Sequence, residues 1–275
     1  MPYPRAHWLL LVLIPAIGVA FWPGYFSRLG ASPLAHHVHG VTGSLWILLL
    51  VLQSWAIHNR RFALHRAAGR SSLLLFPLFM AGGLMALHAM ATGFVAQAHP
   101  FYTLFGARLG LLDFIAMTAF AWLFYGALRH RGKVQLHARY MLATPLLLLA
   151  PIVSRLLTDF VPYFAIKGPE DMGVFFANLH LSNSVAIVAA LLLYASSPRH
   201  GRPFLVVAGV ALLQGAAFQW LAVTPGWQAL FSAYAGMPLL LTAAAGLAVG
   251  LALVYAGWTG PRSAGRPPVP ERAPS

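Results

Sequence analysis

A chain of 275 residues that is 59% hydrophobic and only 8% charged holds more apolar surface than one soluble core can enclose, so lipid must be its solvent. Its net charge of +13 arises from basic residues in short stretches between apolar runs, which marks them as topology signals and argues against a nucleic-acid surface. The absence of cysteine excludes disulfides, thiolate metal sites, iron–sulfur clusters and a cysteine nucleophile, so any redox chemistry must come from a bound cofactor.

Backbone polar groups inside hydrocarbon must be paired within the fold, which leaves helices or a closed barrel. The apolar runs are about 20 residues long and do not alternate, and this selects an all-α, polytopic transmembrane bundle. In chain order the spans are predicted at 7–26, 36–57, 71–94, 107–128, 138–158, 175–196, 203–223 and 236–257. The first has Arg5 ahead of it but no small-residue cleavage site before Phe21, Trp22 and Pro23, and is read as an uncleaved helix. Residues 1–258 thus form one transmembrane domain. Residues 259–275, rich in Pro, Gly, Ser and Arg, are expected to be a disordered cytoplasmic tail.

Assigning the loops alternately to the two sides gives the orientation. Arg5, Arg60, Arg61, Arg66, Arg70, Arg129, Arg131, Lys133, Arg139, Arg199, Arg202, Arg262, Arg266 and Arg272 fall on one side, and only Arg28, Arg108, Arg155 and Lys167 on the other. Fourteen basic residues against four predict that both termini are cytoplasmic. Sixteen of the eighteen basic residues are arginine, a bias consistent with a GC-rich genome; the expected location is the bacterial inner membrane. The long outer segment from Asp159 to Gly173 is expected to be a connector between the fifth and sixth spans, with a cap or lid over the outer face as the alternative. Leu64, His65 and Arg66 in one inner loop are echoed by Leu136, His137 and Arg139 in another, a faint repeat of a helical hairpin.

Ionisable groups within spans are costly and point to function. His39, His88, Asp113, His180 and Arg155 come from five different helices yet lie at a similar depth near the outer side, as a ligand site inside a bundle requires. His39, Trp46 and Gln53 are spaced by seven and share a stripe with His36, which turns that face inward. Trp46 is explained equally well by core packing and Gln53 by an interhelical hydrogen bond. Imidazoles on facing helices suit the axial positions of a haem b, so His39, His88 and His180 are candidate ligands, with Asp113 and Arg155 as polar support. Histidine with a carboxylate would instead suit a divalent metal, and histidines near an interface are often only hydrogen-bonded. Arg155 with Asp159 one turn on suits an ion pair, an anionic head group or a cofactor carboxylate. His65 and His137 offer the same axial logic at the inner face, where His130 and His200 also sit beside arginines. There is no phosphate-cradling glycine loop, zinc-protease histidine pair or nucleophile elbow, and no catalytic residue is assigned.

The stretch HHVHGVTGSLWILLLVLQSWAIHNRRFALHRAAGR from His36, with LHARYMLATPLLLLAPIVSR from Leu136 to Arg155, resembles a group of predicted bacterial multi-pass membrane proteins of no established activity. The resemblance rests on His39, Gly40, Trp46, Gln53, His65, Arg66, Gly69, His137, Arg139, Met141 and Arg155, and implies a polar core in the second to fifth spans. A looser similarity is to membrane b-type cytochromes and cytochrome-oxidase assembly proteins. The leading expectation is therefore a haem b- or quinone-associated redox protein of the membrane, with a quinone or a redox protein as partner. The alternatives are a small-molecule transporter or an assembly factor without a cofactor, and a metal-dependent enzyme acting on a lipid-soluble substrate.

Overall fold

The computed structural model describes residues 3–260, which are helical throughout apart from short connections; the predicted tail lies almost wholly outside them. Ten α-helices follow in order: α1 (Ala6–Ala20), α2 (Leu34–His58), α3 (Phe62–Val95), α4 (Pro100–Arg129), α5 (Val134–Ala143), α6 (Leu149–Phe160), α7 (Val174–Ala195), α8 (Arg202–Ala216), α9 (Pro225–Ala235) and α10 (Leu239–Thr259). Among the described residues, seven helical segments are long and apolar enough to cross a bilayer, so the protein is a multi-pass membrane protein.

Four local outcomes differ from the sequence reading. The first predicted span is a 15-residue helix. At 1.5 Å per residue it covers about 22 Å, less than a hydrocarbon core of about 30 Å. Pro23 and Gly24 then turn the chain into a 3₁₀ segment, Phe26–Ala31, that folds back toward α2. The fifth span is two helices joined by a 3₁₀ link, Thr144–Leu148, because Pro145 has no amide hydrogen for the α ladder. The seventh span ends in a π-turn, Ala217–Leu221. Finally, residues 225–235, which fall between predicted spans, form α9, a short helix laid across the outer ends of α4 and α3. Trp227 Nε1 donates to the Ala107 carbonyl at 2.7 Å and Tyr234 Oη to the Leu84 carbonyl at 2.8 Å.

Both ends of the described chain lie at the arginine-rich end of the bundle. Tyr3 Oη donates to the Leu193 carbonyl at 3.4 Å, and Arg131 donates to the Trp258 carbonyl at 2.8 Å. An even number of crossings follows, α1 included, in keeping with termini expected on one side. Arg139 fastens this end: it is buried, donates to the Gln135 carbonyl, to Gln135 Oε1 and to Ser197 Oγ, and lies 5.2 Å over the Tyr3 ring.

The main core is an aromatic slab midway along α2, α3 and α4. Trp46 is 2% exposed and meets Phe120 and Phe124 edge-on at 5.0 and 5.2 Å, while Phe76 stacks on Phe124 at 4.4 Å. Trp46 Nε1 donates to Thr144 Oγ1 at 3.0 Å and so bolts α2 to the 3₁₀ link. Because lipid gives helices no hydrophobic reason to associate, close approach must come from small residues. α10 supplies them: Gly246 lies against the backbone of Met80 and Ala81, and Gly250 against Pro77.

Candidate functional site

Above the aromatic slab, toward the arginine-poor end, the inward faces of α2, α4 and α6 separate. On α4, Asp113 stands on the same face as Met117, Phe120 and Phe124, all buried, and about opposite the lipid-facing Phe114, Thr118 and Trp122. Asp113 is nevertheless exposed. It lies about 20 Å from the first residue of α4 at 1.5 Å per residue, so its exposure reports open space inside the bundle. Arg155 repeats the pattern on α6. Val153, Leu156, Leu157 and Phe160 look outward, Ser154 and Thr158 are held by Asn178 of α7, and the exposed Arg155 points away from lipid.

His39 completes the cleft from α2. Its ring packs at 5.2 Å from Phe79 of the slab, and its Nδ1 is buried with no hydrogen-bond partner. Gly82 of α3 allows this approach, since a Cβ there would stand 2.9 Å from the His39 backbone nitrogen. Arg155 is close enough for its charge to act on His36, His39, Asp113, Tyr102 and Asp159. Its one hydrogen bond among the described residues is a 3.3 Å donation to the Pro151 carbonyl, and its guanidinium lies 4.2 Å over the ring of Phe21 beyond the end of α1. Asp113 makes no hydrogen bond or ion pair with any described residue. The cleft therefore has an aromatic floor, one arginine, two carboxylates and two imidazoles. Tyr25, whose Oη is 2.8 Å from His37 Nδ1, folds the loop after α1 over its α2 side.

Of the residues expected to form one site, His39, Asp113 and Arg155 come together, with Trp46 beneath them in the floor. Gln53 does not join them: it lies at the arginine-rich end, where its carbonyl is 3.3 Å from His65 Nδ1 and its own Nε2 is buried and unpartnered. His88 faces the other way. It is nine residues from Phe79, which is half a turn out of phase on a helix, and its Nε2 donates to the Met237 carbonyl at 2.8 Å. His180 sits in a groove of about 580 Å³ between α7 and α8, beside Gly215, Gln219 and Trp220. His39, His88 and His180 thus do not face one another as axial ligands of a common haem. No group of three or more His, Asp or Glu among the described residues is placed to hold a metal ion. At the other end, His65 and His137 each rest Nδ1 on a backbone carbonyl, of Gln53 and of Ala127.

Tyr102, Phe21 and Tyr25 carry no signal in the sequence that would assign them to the cleft. Arg108, one of the few basic residues at this end, has a structural role, donating at 2.7 Å to the Phe218 carbonyl in the π-turn and stacking near Phe176 and Phe218. Compared with models of known families, with curated proteins and with solved structures, the chain matches none.

Proposed function

We propose that the protein binds a quinone, a small membrane-soluble redox molecule, with its polar ring in the cleft between α2, α4 and α6. The observation that carries this reading is that Asp113 and Arg155, both within membrane-length segments, are exposed on inward faces and are not paired with each other. Ionisable groups held at that depth without an ion pair are expensive unless something polar fills the space between them.

The balance of charge favours a neutral ligand. Asp113 and Asp159 oppose the single charge of Arg155, so a phosphate or carboxylate would meet as much repulsion as attraction. A quinone ring matches the available groups. Its carbonyl oxygens accept from the Arg155 guanidinium and from His39, the hydroxyl of the reduced form donates to Asp113, and its flat face rests on Phe79 of the slab. The chain's own part is recognition and orientation of that ring.

The test is quinone content and binding. Organic extraction of the detergent-purified protein should yield a quinone. Titration with a short-chain quinone should quench tryptophan fluorescence saturably, and Arg155→Ala and Asp113→Asn should weaken binding at least tenfold without lowering thermal stability. An oxidised-minus-reduced absorption spectrum of the same sample reads any haem directly. No extracted quinone together with no saturable binding would overturn the proposal.

A further inference from the structure

The seam between α1 and α6 carries a second feature. A groove of about 390 Å³, with almost no polar lining, runs along its lipid side between Val19, Val153, Leu156, Leu157, Phe160 and Val161. Val153 is two residues before Arg155 and Leu156 directly after it, and Val19 is two residues before Phe21, whose ring lies 4.2 Å from the Arg155 guanidinium. One helix pair therefore presents the polar cleft on its inner side and an apolar channel on its outer side. The Arg155–Phe21 contact stands at the boundary between them.

From this continuity we infer that the ligand is a prenylated quinone, entering sideways from the bilayer through the α1–α6 seam, with its isoprenoid chain resting in the groove and its ring in the cleft. The inference rests on the proposed quinone site and adds the ligand's class and route. α1 is built for such a passage: it is short, it carries Pro15, and its outer end gives way to turns, so the wall it contributes stops near the depth of Arg155. A chain moving between lipid and groove gains no hydrophobic energy, so the groove acts by fixing the chain's direction and holding the ring at its binding angle, and that preorganisation is what the tail adds to affinity. A phospholipid would bring two chains and a phosphate, and the pair of carboxylates opposes the latter.

The experiment compares a quinone lacking a side chain with the same ring bearing a ten-carbon or prenyl chain, on the full protein in detergent. The tailed form should bind wild type at least tenfold more tightly. Leu156→Trp, which fills the groove, should remove that advantage while leaving the tailless affinity unchanged, and Val19→Phe should do the same from the opposite wall should the tryptophan lower stability. Equal affinities in wild type, equal losses for both ligands in the variants, or displacement of the tailed quinone by an anionic phospholipid at equal concentration would overturn the inference while the ring site stands. Failure of both ligands to bind wild type would instead remove the ring site, and the inference with it.

Discussion

Gly82 of α3 lies against the backbone of His39 on α2, so close that a methyl group in its place would stand 2.9 Å from the His39 nitrogen and 3.0 Å from its Cα. A backbone cannot give way as a side chain can. Gly82→Ala should therefore push α2 off α3, lower stability by about 1–3 kcal/mol and weaken quinone binding through His39. The neighbouring Gly83→Ala is the control: its Cβ would meet the sulfur and methyl end of Met117, which can rotate aside. Thermal unfolding and quinone titration of both variants check this; equal effects would refute it.

Arginine at 155 should not be replaceable by lysine. The guanidinium lies 4.2 Å over the ring of Phe21 and keeps further N–H groups for a ligand, whereas an ammonium is a point charge with no planar face. Arg155→Lys should lose about tenfold or more in quinone affinity, on the scale of about 1.5–3 kcal/mol for a charged hydrogen bond. Titration of Arg155→Lys beside Arg155→Ala gives the answer. Undiminished affinity in the lysine variant would mean that charge alone matters.

The bond between Trp46 and Thr144 ties α2 to the break in the fifth span. Trp46→Phe and Thr144→Val should each destabilise the protein. The double variant should fall short of their sum by about 0.5–1.5 kcal/mol, the ordinary net worth of one hydrogen bond. Simple additivity in a thermal or denaturant series would show that the bond contributes nothing.

Substituting α10 at Gly250 should be more damaging than substituting α8 at Gly209. A Cβ at Gly250 would enter Pro77 of α3, while one at Gly209 meets nothing within 4 Å. Gly250→Ile should lower stability markedly and Gly209→Ile should leave it near wild type, as read by detergent thermal shift.

The orientation is open to direct test by reporter fusions. A reporter joined after Ser275 or within the Asn59–Arg61 turn should be active only in the cytoplasm, since the arginines gather at that end. Activity on the opposite side of the membrane at either site would invert the topology.

Much of this architecture is legible in the residues, because a span long enough to cross lipid must show itself as an uninterrupted apolar run. What hydropathy measures is depth. His39, His88 and His180 share a depth, and that alone groups them in the sequence, yet their direction around each helix depends on which neighbours lie beside it. The heptad spacing of His39, Trp46 and Gln53 is a true stripe, but one that runs from the cleft through the floor to the far end of the bundle. α9 is hidden in the sequence because its 11 residues, Pro225–Ala235, are too few for a span, and the shortness of α1 because Phe21 and Trp22 extend its apolar run past the turn. The glycines of α10 carry their meaning only beside the residues of α3 they admit.

The 3₁₀ link at Thr144–Leu148 makes the segment Val134–Phe160 two rods with a joint. The lower rod is clamped by Arg139 to Ser197, and the joint itself is pinned by Trp46. The upper rod, which carries Arg155, is held to its neighbours chiefly through α1 and α7. Arg155 and the arginine-rich face with His137 therefore sit on separate rods, with a pinned joint between them. The two ends of this span are thus anchored to different neighbours, the arginine-poor end to α1 and α7 and the other to Ser197.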